Sequence, residues 1–232
     1  SHNMRTPLNA VLGFSQLLGL STDPGLNDSH KQKLDIIHKA GKQLLSLVDQ
    51  ALQLAQLEHH AEPCESRRVD LLPMLTDAVD MLKDRASAQH LNLIMEAAPC
   101  AAWAEPQRVR EVVMNLLSNA IKFTQYGGVK LHLSVAQDQL VFDVSDSGSG
   151  LTELERSRLF QPFEQFHTHL PNLRGGTGLG LAISKRLAEW MGGNIELLYS
   201  SHDGSAFRFH IPLRQRRLPH WHLLKSVHAW GL

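Results

Sequence analysis

Apolar residues return at helical steps through the first sixty positions, and at alternating strand and helix steps beyond them. Leu8, Val11, Ser15 and Leu18 recur every three or four residues, which predicts a helix over 1–20. STDPGLND at 21–28 is a run of turn residues and predicts a loop. Leu34, Ile37, Gly41, Leu44, Val48, Ala51 and Ala55 then step three, four, three, four. That sustained heptad predicts a second helix, from about Ser29 to Glu58, with a coiled-coil seam along it. Two such helices enclose no core alone. Two copies of the hairpin make a four-helix bundle, so the pattern predicts a homodimer.

Residues 59–68 are polar and aperiodic, and Pro63 marks a boundary. Beyond it the pattern predicts helices at 71–89, 106–122 and 178–191. VKLHLSV (129–135) and LVFDVSD (140–146) alternate and are separated by turn residues, so they predict paired strands. NIELLYS (194–200) and AFRFHIPL (206–213) predict two more. The second part is therefore an α/β sandwich, one mixed sheet backed by helices. The domain reading is a helical hairpin at 1–60, an α/β domain at 65–213 and a linker at 214–232.

Formal net charge is zero, which removes any electrostatic case for nucleic acid as a partner. The longest apolar runs, such as LQLAQL at 52–57, are too short to span a bilayer. Cys64 and Cys100 are isolated and read as reduced thiols. The 14 histidines include His59-His60, His167-x-His169 and His220-x-His222, but no third ligand stands at a metal-site spacing. They read as solvated surface residues.

Three segments carry candidate chemistry. In NLLSNAIKF (115–123), Asn115 and Asn119 share one helix face, with Lys122 close to one turn further and Phe123 closing the run. Amide oxygens are hard ligands suited to Mg²⁺, and a nearby lysine suits phosphate. DSGSG (146–150) ends a predicted strand, with Asp146 as an acceptor and Gly148 and Gly150 permitting a tight turn. GGTGLGL (175–181) opens a predicted helix, where free backbone N–H groups and the positive helix end favour phosphate.

Each segment alone is weak; their order and spacing are not. They resemble the ATP-binding domain shared by histidine kinases, gyrase-type topoisomerases, MutL proteins and the heat-shock 90 chaperones. NLLSNAIKFT is similar to the N box and DSGSG to the first glycine box. LFQPFEQF (159–166) is similar to the F box, and GGTGLGLAIS to the second glycine box. The resemblance implies that Asn119 and Asn115 hold Mg²⁺, that Lys122 meets phosphate and that Asp146 accepts from the adenine amino group. It implies that Gly148 and Gly150 let the base approach, and that Gly176, Thr177, Gly178, Leu179 and Gly180 wrap the phosphates. Phe160 and Phe163 would anchor a mobile lid over about 151–177. Hydrolysing relatives carry a water-activating glutamate four residues before the Mg²⁺ asparagine. Asn115 stands there and is no general base, which favours a kinase.

SHNMRTPLNAVLGF (1–14) resembles the H box of the dimerisation and histidine-phosphotransfer hairpin. His2 is the implied nucleophile. Asn3 stands where the family has an acid, so autophosphorylation is expected to be slow. Thr6 lies one turn beyond His2 and is implied to position water for hydrolysis of a receiver's phospho-aspartate. The resemblance therefore implies a dimeric sensor histidine kinase core using ATP and Mg²⁺, with a receiver domain as phosphoryl acceptor. It implies the cytoplasmic portion of a bacterial sensor, tied to the inner membrane only through segments upstream. Similar kinases continue from such a tail into receiver domains. The competing reading is a regulatory module, weak as a kinase, that pairs with another histidine kinase or a receiver and alters its phosphorylation.

Overall fold

A computed structural model of the chain describes residues 2–20, 28–58, 66–98, 100–165 and 177–213. Two helices come first, α1 (His2–Leu20) and α2 (Asp28–Glu58). Then follow β1 (Arg67–Asp70), α3 (Leu71–Ser87), β2 (Asn92–Ala97), β3 (Ala101–Ala104) and α4 (Pro106–Phe123). The chain continues through β4 (Gly128–Ala136), β5 (Gln139–Asp146), α5 (Glu153–Arg158), α6 (Gly180–Trp190), β6 (Asn194–Ser201) and β7 (Gly204–Pro212). The tail from 214 on, Cys64 and the three histidine pairs lie outside the described residues.

α1 and α2 pack antiparallel. Ser15 Oγ lies 3.2 Å from His38 Nδ1 and donates to the Leu12 carbonyl at 2.9 Å. A side chain at Gly41 would put its Cβ 2.9 Å from Leu12 Cδ2, so glycine there lets the two helices close. The heptad divides between partners. Gly41 faces α1, while Ile37 and Leu44 stay 46% and 52% exposed on a single chain, as do Val11, Phe14 and Leu17 on α1. Ala51 and Ala55, further along the heptad, are exposed on a single chain as well, and on another side of the helix Leu47, Leu54 and Leu57 turn toward the core of the α/β part. The heptad spacing of Leu47 and Leu54 gives α2 a second apolar face, and α6 is packed against this end of the helix.

The α/β part holds a five-stranded sheet in the order β2-β4-β5-β7-β6. β2 runs parallel to β4; every other neighbouring pair is antiparallel. One sheet face meets α4 and α6. There α4 buries Val109, Val112, Val113, Leu116, Leu117, Ala120 and Ile121 against Leu131, Phe142, Val144 and Phe209. The Phe142 and Phe209 rings stack at 5.0 Å between centroids. The other face carries charge: Arg208 grips both Asp143 oxygens at 2.8 and 2.9 Å, and Lys130 meets Glu96 at 2.7 Å.

The structure corrects the polar stretch 59–68 at its end, because Arg67 and Arg68 begin a strand. β1 pairs antiparallel with β3 as a separate two-stranded ribbon. Asp70 then caps α3 by accepting the Leu72 N–H at 3.1 Å. β2 and α5 were not among the predicted elements either.

Candidate functional site

The three segments meet at one end of the sheet. β5 delivers Asp146 beside the last turn of α4, and β7 brings Ser205 and Phe207 alongside. Together they border a cleft of about 640 Å³, counting its open mouth. Leu116, Asn119, Ala120 and Phe123 form one wall, Asp146, Ser149, Gly150 and Leu151 another, and Glu155, Leu159, Leu181, Ser205 and Phe207 the rest.

Asp146 sits where β5 ends, and its Oδ1 accepts the Gly148 N–H at 2.8 Å. Burial pushes its carboxyl above the usual range, opposed by backbone N–H donation from Gly148 and Ser205. The carboxylate thus keeps acceptor capacity facing a mostly apolar cleft. Such a cavity suits a flat heteroaromatic ring with an N–H to donate.

Gly148 and Gly150 have a structural duty first. A Cβ at 148 would stand 2.7 Å from the Phe123 carbonyl oxygen. Gly150 has φ +71° and would collide with the Ser201 carbonyl. They make room for α4 and β6, which brings Asp146 and α4 together, and Gly150 also borders the cleft. Ser200 Oγ accepts the Leu151 N–H at 2.8 Å and lies 3.0 Å from Ser205 Oγ, which ties the start of the following segment to β6 and β7.

Asn115 and Asn119 separate in role. Asn119 lines the cleft. Asn115 donates through Nδ2 to Ser184 Oγ at 2.8 Å, and this turns its Oδ1 toward Gly180. A Cβ at Gly180 would lie 2.5 Å from that oxygen, so glycine lets the first turn of α6 approach α4. Lys122 lies with Nζ 4.8 Å from the Phe123 ring centroid. Burial lowers its pKa, helped by the charge of Arg85.

The two phenylalanines also part. Phe160 is half-buried, packed on the core, with Lys185 Nζ 5.1 Å from its ring centroid. Phe163 is 63% exposed at φ 66°. Its backbone does the tethering: Phe163 N–H donates to the Gly178 carbonyl at 3.0 Å. Gly178, at φ +72°, would bring a Cβ within 2.6 Å of Phe163. Thr177 Oγ1 accepts the Leu179 N–H at 3.2 Å, and Leu179 is fully buried at the start of α6. Gly176 lies outside the described residues. Inside the expected lid stands α5, closed by a capping box between Thr152 and Glu155.

Sequence reasoning did not single out the cleft residues Leu116, Ala120, Ser149, Leu151, Glu155, Leu159, Leu181, Ser205 and Phe207. Ser205 and Phe207 alternate on β7 and so share a face, a signal that a search beyond the glycine segments would have met. His2, Asn3 and Thr6 lie in the first turns of α1; their side chains are outside what is described.

Residues 104–215 match the family described as histidine kinase-, DNA gyrase B- and HSP90-like ATPase. Residues 1–60 match the His Kinase A (phospho-acceptor) domain. The chain belongs to the histidine kinases. This kinase core is 36% identical over 217 residues to the circadian input-output histidine kinase CikA of Synechococcus elongatus, covering 91% of this chain and 29% of CikA. It is 35% identical over 229 residues to the sensor protein TorS of Escherichia coli, covering 94% of this chain and 24% of TorS. Among solved structures it resembles full-length ShkA in complex with AMPPNP, at TM-score 0.80 and 31% identity, over 94% of this chain and 45% of that one. The chain thus spans about 22–29% of the length of the curated relatives it matches.

Proposed function

We propose that the chain is the core of a two-component sensor kinase that binds Mg²⁺–ATP, phosphorylates His2 and passes the phosphoryl group to an aspartate on a receiver domain. The observation that carries this is the union in one chain of a phosphoacceptor-type hairpin and an ATPase-type domain whose cleft gathers Asn119 and Asp146. The domain division proposed is a hairpin at 1–60, an ATP-binding domain at 65–213 and a linker at 214–232.

In this reading Asp146 accepts from the adenine amino group while Leu116, Leu181 and Phe207 flank the ring. Lys122 and the segment Gly176, Thr177, Gly178, Leu179 and Gly180 face the phosphates, and the start of α6 supplies free N–H groups. The oxygens of Asn119 and Asn115 are hard donors and fit Mg²⁺, Asn115 Oδ1 being turned toward the start of α6. When bound, Mg²⁺ neutralises phosphate charge. A lone pair on one His2 ring nitrogen attacks the γ-phosphorus. The bond from that phosphorus to the β–γ bridging oxygen breaks, ADP leaves with the electron pair, and the other ring nitrogen releases its proton. Transfer onward breaks the N–P bond and forms an O–P bond to the receiver's carboxylate. Thr6 is proposed to position water for the opposing role, hydrolysis of the receiver's phospho-aspartate to aspartate and inorganic phosphate.

The partners proposed are a second copy of the chain and a receiver domain. No helix among the described residues is long and apolar enough to cross a membrane. A cytoplasmic position, with anchoring to the inner membrane through upstream segments, is part of the proposal. The regulatory-module reading is not favoured, because the relatives are named as sensor kinases.

Titration with a fluorescent ATP analogue tests the site. Binding is expected to need Mg²⁺ and to weaken at least about tenfold in Asn119→Ala, roughly the 1.4 kcal/mol of one lost charge-assisted contact. Failure of the unaltered chain to bind overturns the proposal. Acidity offers a second check. Asp146 accepts most strongly when ionised, and burial raises its pKa. Affinity should therefore be full at neutral pH and fall as the pH drops through that raised value, earlier than an ordinary aspartate near about 3.9 would allow. Asp146→Asn should bind weakly at every pH without that step.

A further inference from the structure

Polar contacts join the hairpin to the nucleotide domain beside the phosphate segment. Thr177 Oγ1 donates to Gln50 Oε1 on α2. One turn on, Gln53 Nε2 donates to Glu111 Oε1 on α4 at 2.5 Å, and Glu111 Oε2 is held by Arg108 Nη1 at 3.0 Å. Leu47 and Leu54 lie on the same side of α2 and join the core. Gln50 is half-buried, so this hydrogen bond is shielded from full competition by water.

The height of this contact along the hairpin follows from the helix register. Ser15 stands opposite His38, and Leu12 opposite Gly41, so each step back along α1 matches one step forward along α2. Both helices are unbroken over the stretch concerned. Going back from Leu12 to His2 leads forward from Gly41 to Ala51, the neighbour of Gln50. The phosphate-side segment is therefore tied to α2 at the level of the phosphoacceptor, rather than at some remote point of the bundle. In a symmetric dimer both copies of His2 share that height, so the inference holds for transfer within or between subunits.

We propose that Gln50 is a positioning residue for phosphoryl transfer: by holding Thr177 it sets the phosphate-binding end of α6 at the height of His2. This rests on the kinase reading above and deepens it. Thr177 Oγ1 couples the two ends, because it donates to Gln50 and accepts from Leu179 N–H at the start of α6. A helix end that slides along α2 carries the γ-phosphate with it, and transfer rates are steeply sensitive to such misplacement. Gln50 itself is not among the residues bordering the cleft, so its loss should leave nucleotide affinity alone.

The experiment measures autophosphorylation at increasing ATP, and separately the affinity for a fluorescent ATP analogue, for the unaltered chain, Gln50→Leu and Gln50→Glu. Leucine removes the acceptor but keeps the size; glutamate keeps an acceptor at the same reach. Gln50→Leu is expected to lower the maximal rate roughly tenfold, with KM and analogue affinity unchanged, and Gln50→Glu to restore most of the rate. An unchanged rate, or a faster one, in Gln50→Leu overturns the proposal; a faster rate would make the contact a brake. A fall in analogue affinity equal to the fall in rate also overturns it, since the residue would then act on binding. If the unaltered chain binds no analogue, the kinase reading fails first, and that outcome is separate from these. Should the unaltered chain label too slowly to compare, the same series is run in the Asn3→Glu background.

Discussion

Replacing Ile37 and Leu44 together by aspartate should turn the chain into a folded monomer. Both side chains are about half exposed on a single chain, so the change disturbs little within one subunit. They belong to the heptad that α1 leaves uncovered, together with Val11, Phe14 and Leu17 on α1. In a four-helix bundle these groups lie inside, where an unpaired carboxylate costs at least about 2 kcal/mol. Two per subunit make four in the dimer, and each 1.4 kcal/mol is about tenfold in affinity. The loss should take a micromolar dimer well out of reach. Light scattering at micromolar concentration is the check, with circular dichroism and ATP-analogue binding as controls. A double variant that stays dimeric would place the seam elsewhere. A variant that unfolds would mean that the two positions serve the subunit itself.

The second large effect concerns the residue after the phosphoacceptor. Asn3→Glu should speed autophosphorylation by at least about tenfold. His2 must lose a proton once its nitrogen bonds to phosphorus, and an amide is no base at neutral pH. General-base help is worth roughly 10²–10⁴-fold in well-placed cases, and the estimate is cut because the new carboxylate is not optimised for its place. The rate of label incorporation decides it. Equal rates in the two chains would mean that another group, or solvent, takes the proton. Receiver dephosphorylation, which needs no such base, should survive in the unaltered chain and fall in Thr6→Ala.

Legibility in the sequence followed the length and regularity of each element. The hairpin was readable because its heptad holds over three repeats, and β4 and β5 because Val129, Leu131 and Leu133 alternate opposite Leu140, Phe142 and Val144. β1 and β3 are four residues each, too short for alternation to register, and they exist because Arg67–Asp70 and Ala101–Ala104 pair with each other across a long separation. β2 does alternate, with Leu93, Met95 and Ala97 inward, but it follows α3 closely and its parallel partner is distant in sequence. α5 has only six residues; its sole sequence mark was the Thr152–Glu155 capping box.

The site was legible where backbone geometry demands a residue type. Gly150, Gly178 and Gly180 stand where any Cβ would collide, so their spacing is written into the chain. Their contacts are with the protein's own atoms, which spacing alone does not reveal. Ser205 and Phe207 reach the cleft through sheet packing and carry no motif. The second apolar face of α2 went unread for a related reason. A heptad describes which residues share one face, and Leu47 and Leu54 stand on another, where they meet the core of the nucleotide domain.

The most direct test incubates the chain, its Asn3→Glu variant and the His2→Ala forms of both with γ-labelled ATP and Mg²⁺, followed by acid and base treatment of the labelled protein. The account predicts label that requires Mg²⁺, resists base, is lost in acid as phosphohistidine is, and is absent from both His2→Ala chains. Label that persists in His2→Ala, or that resists acid, would contradict it. So would the absence of any label, in the unaltered and Asn3→Glu chains alike, when both demonstrably bind ATP.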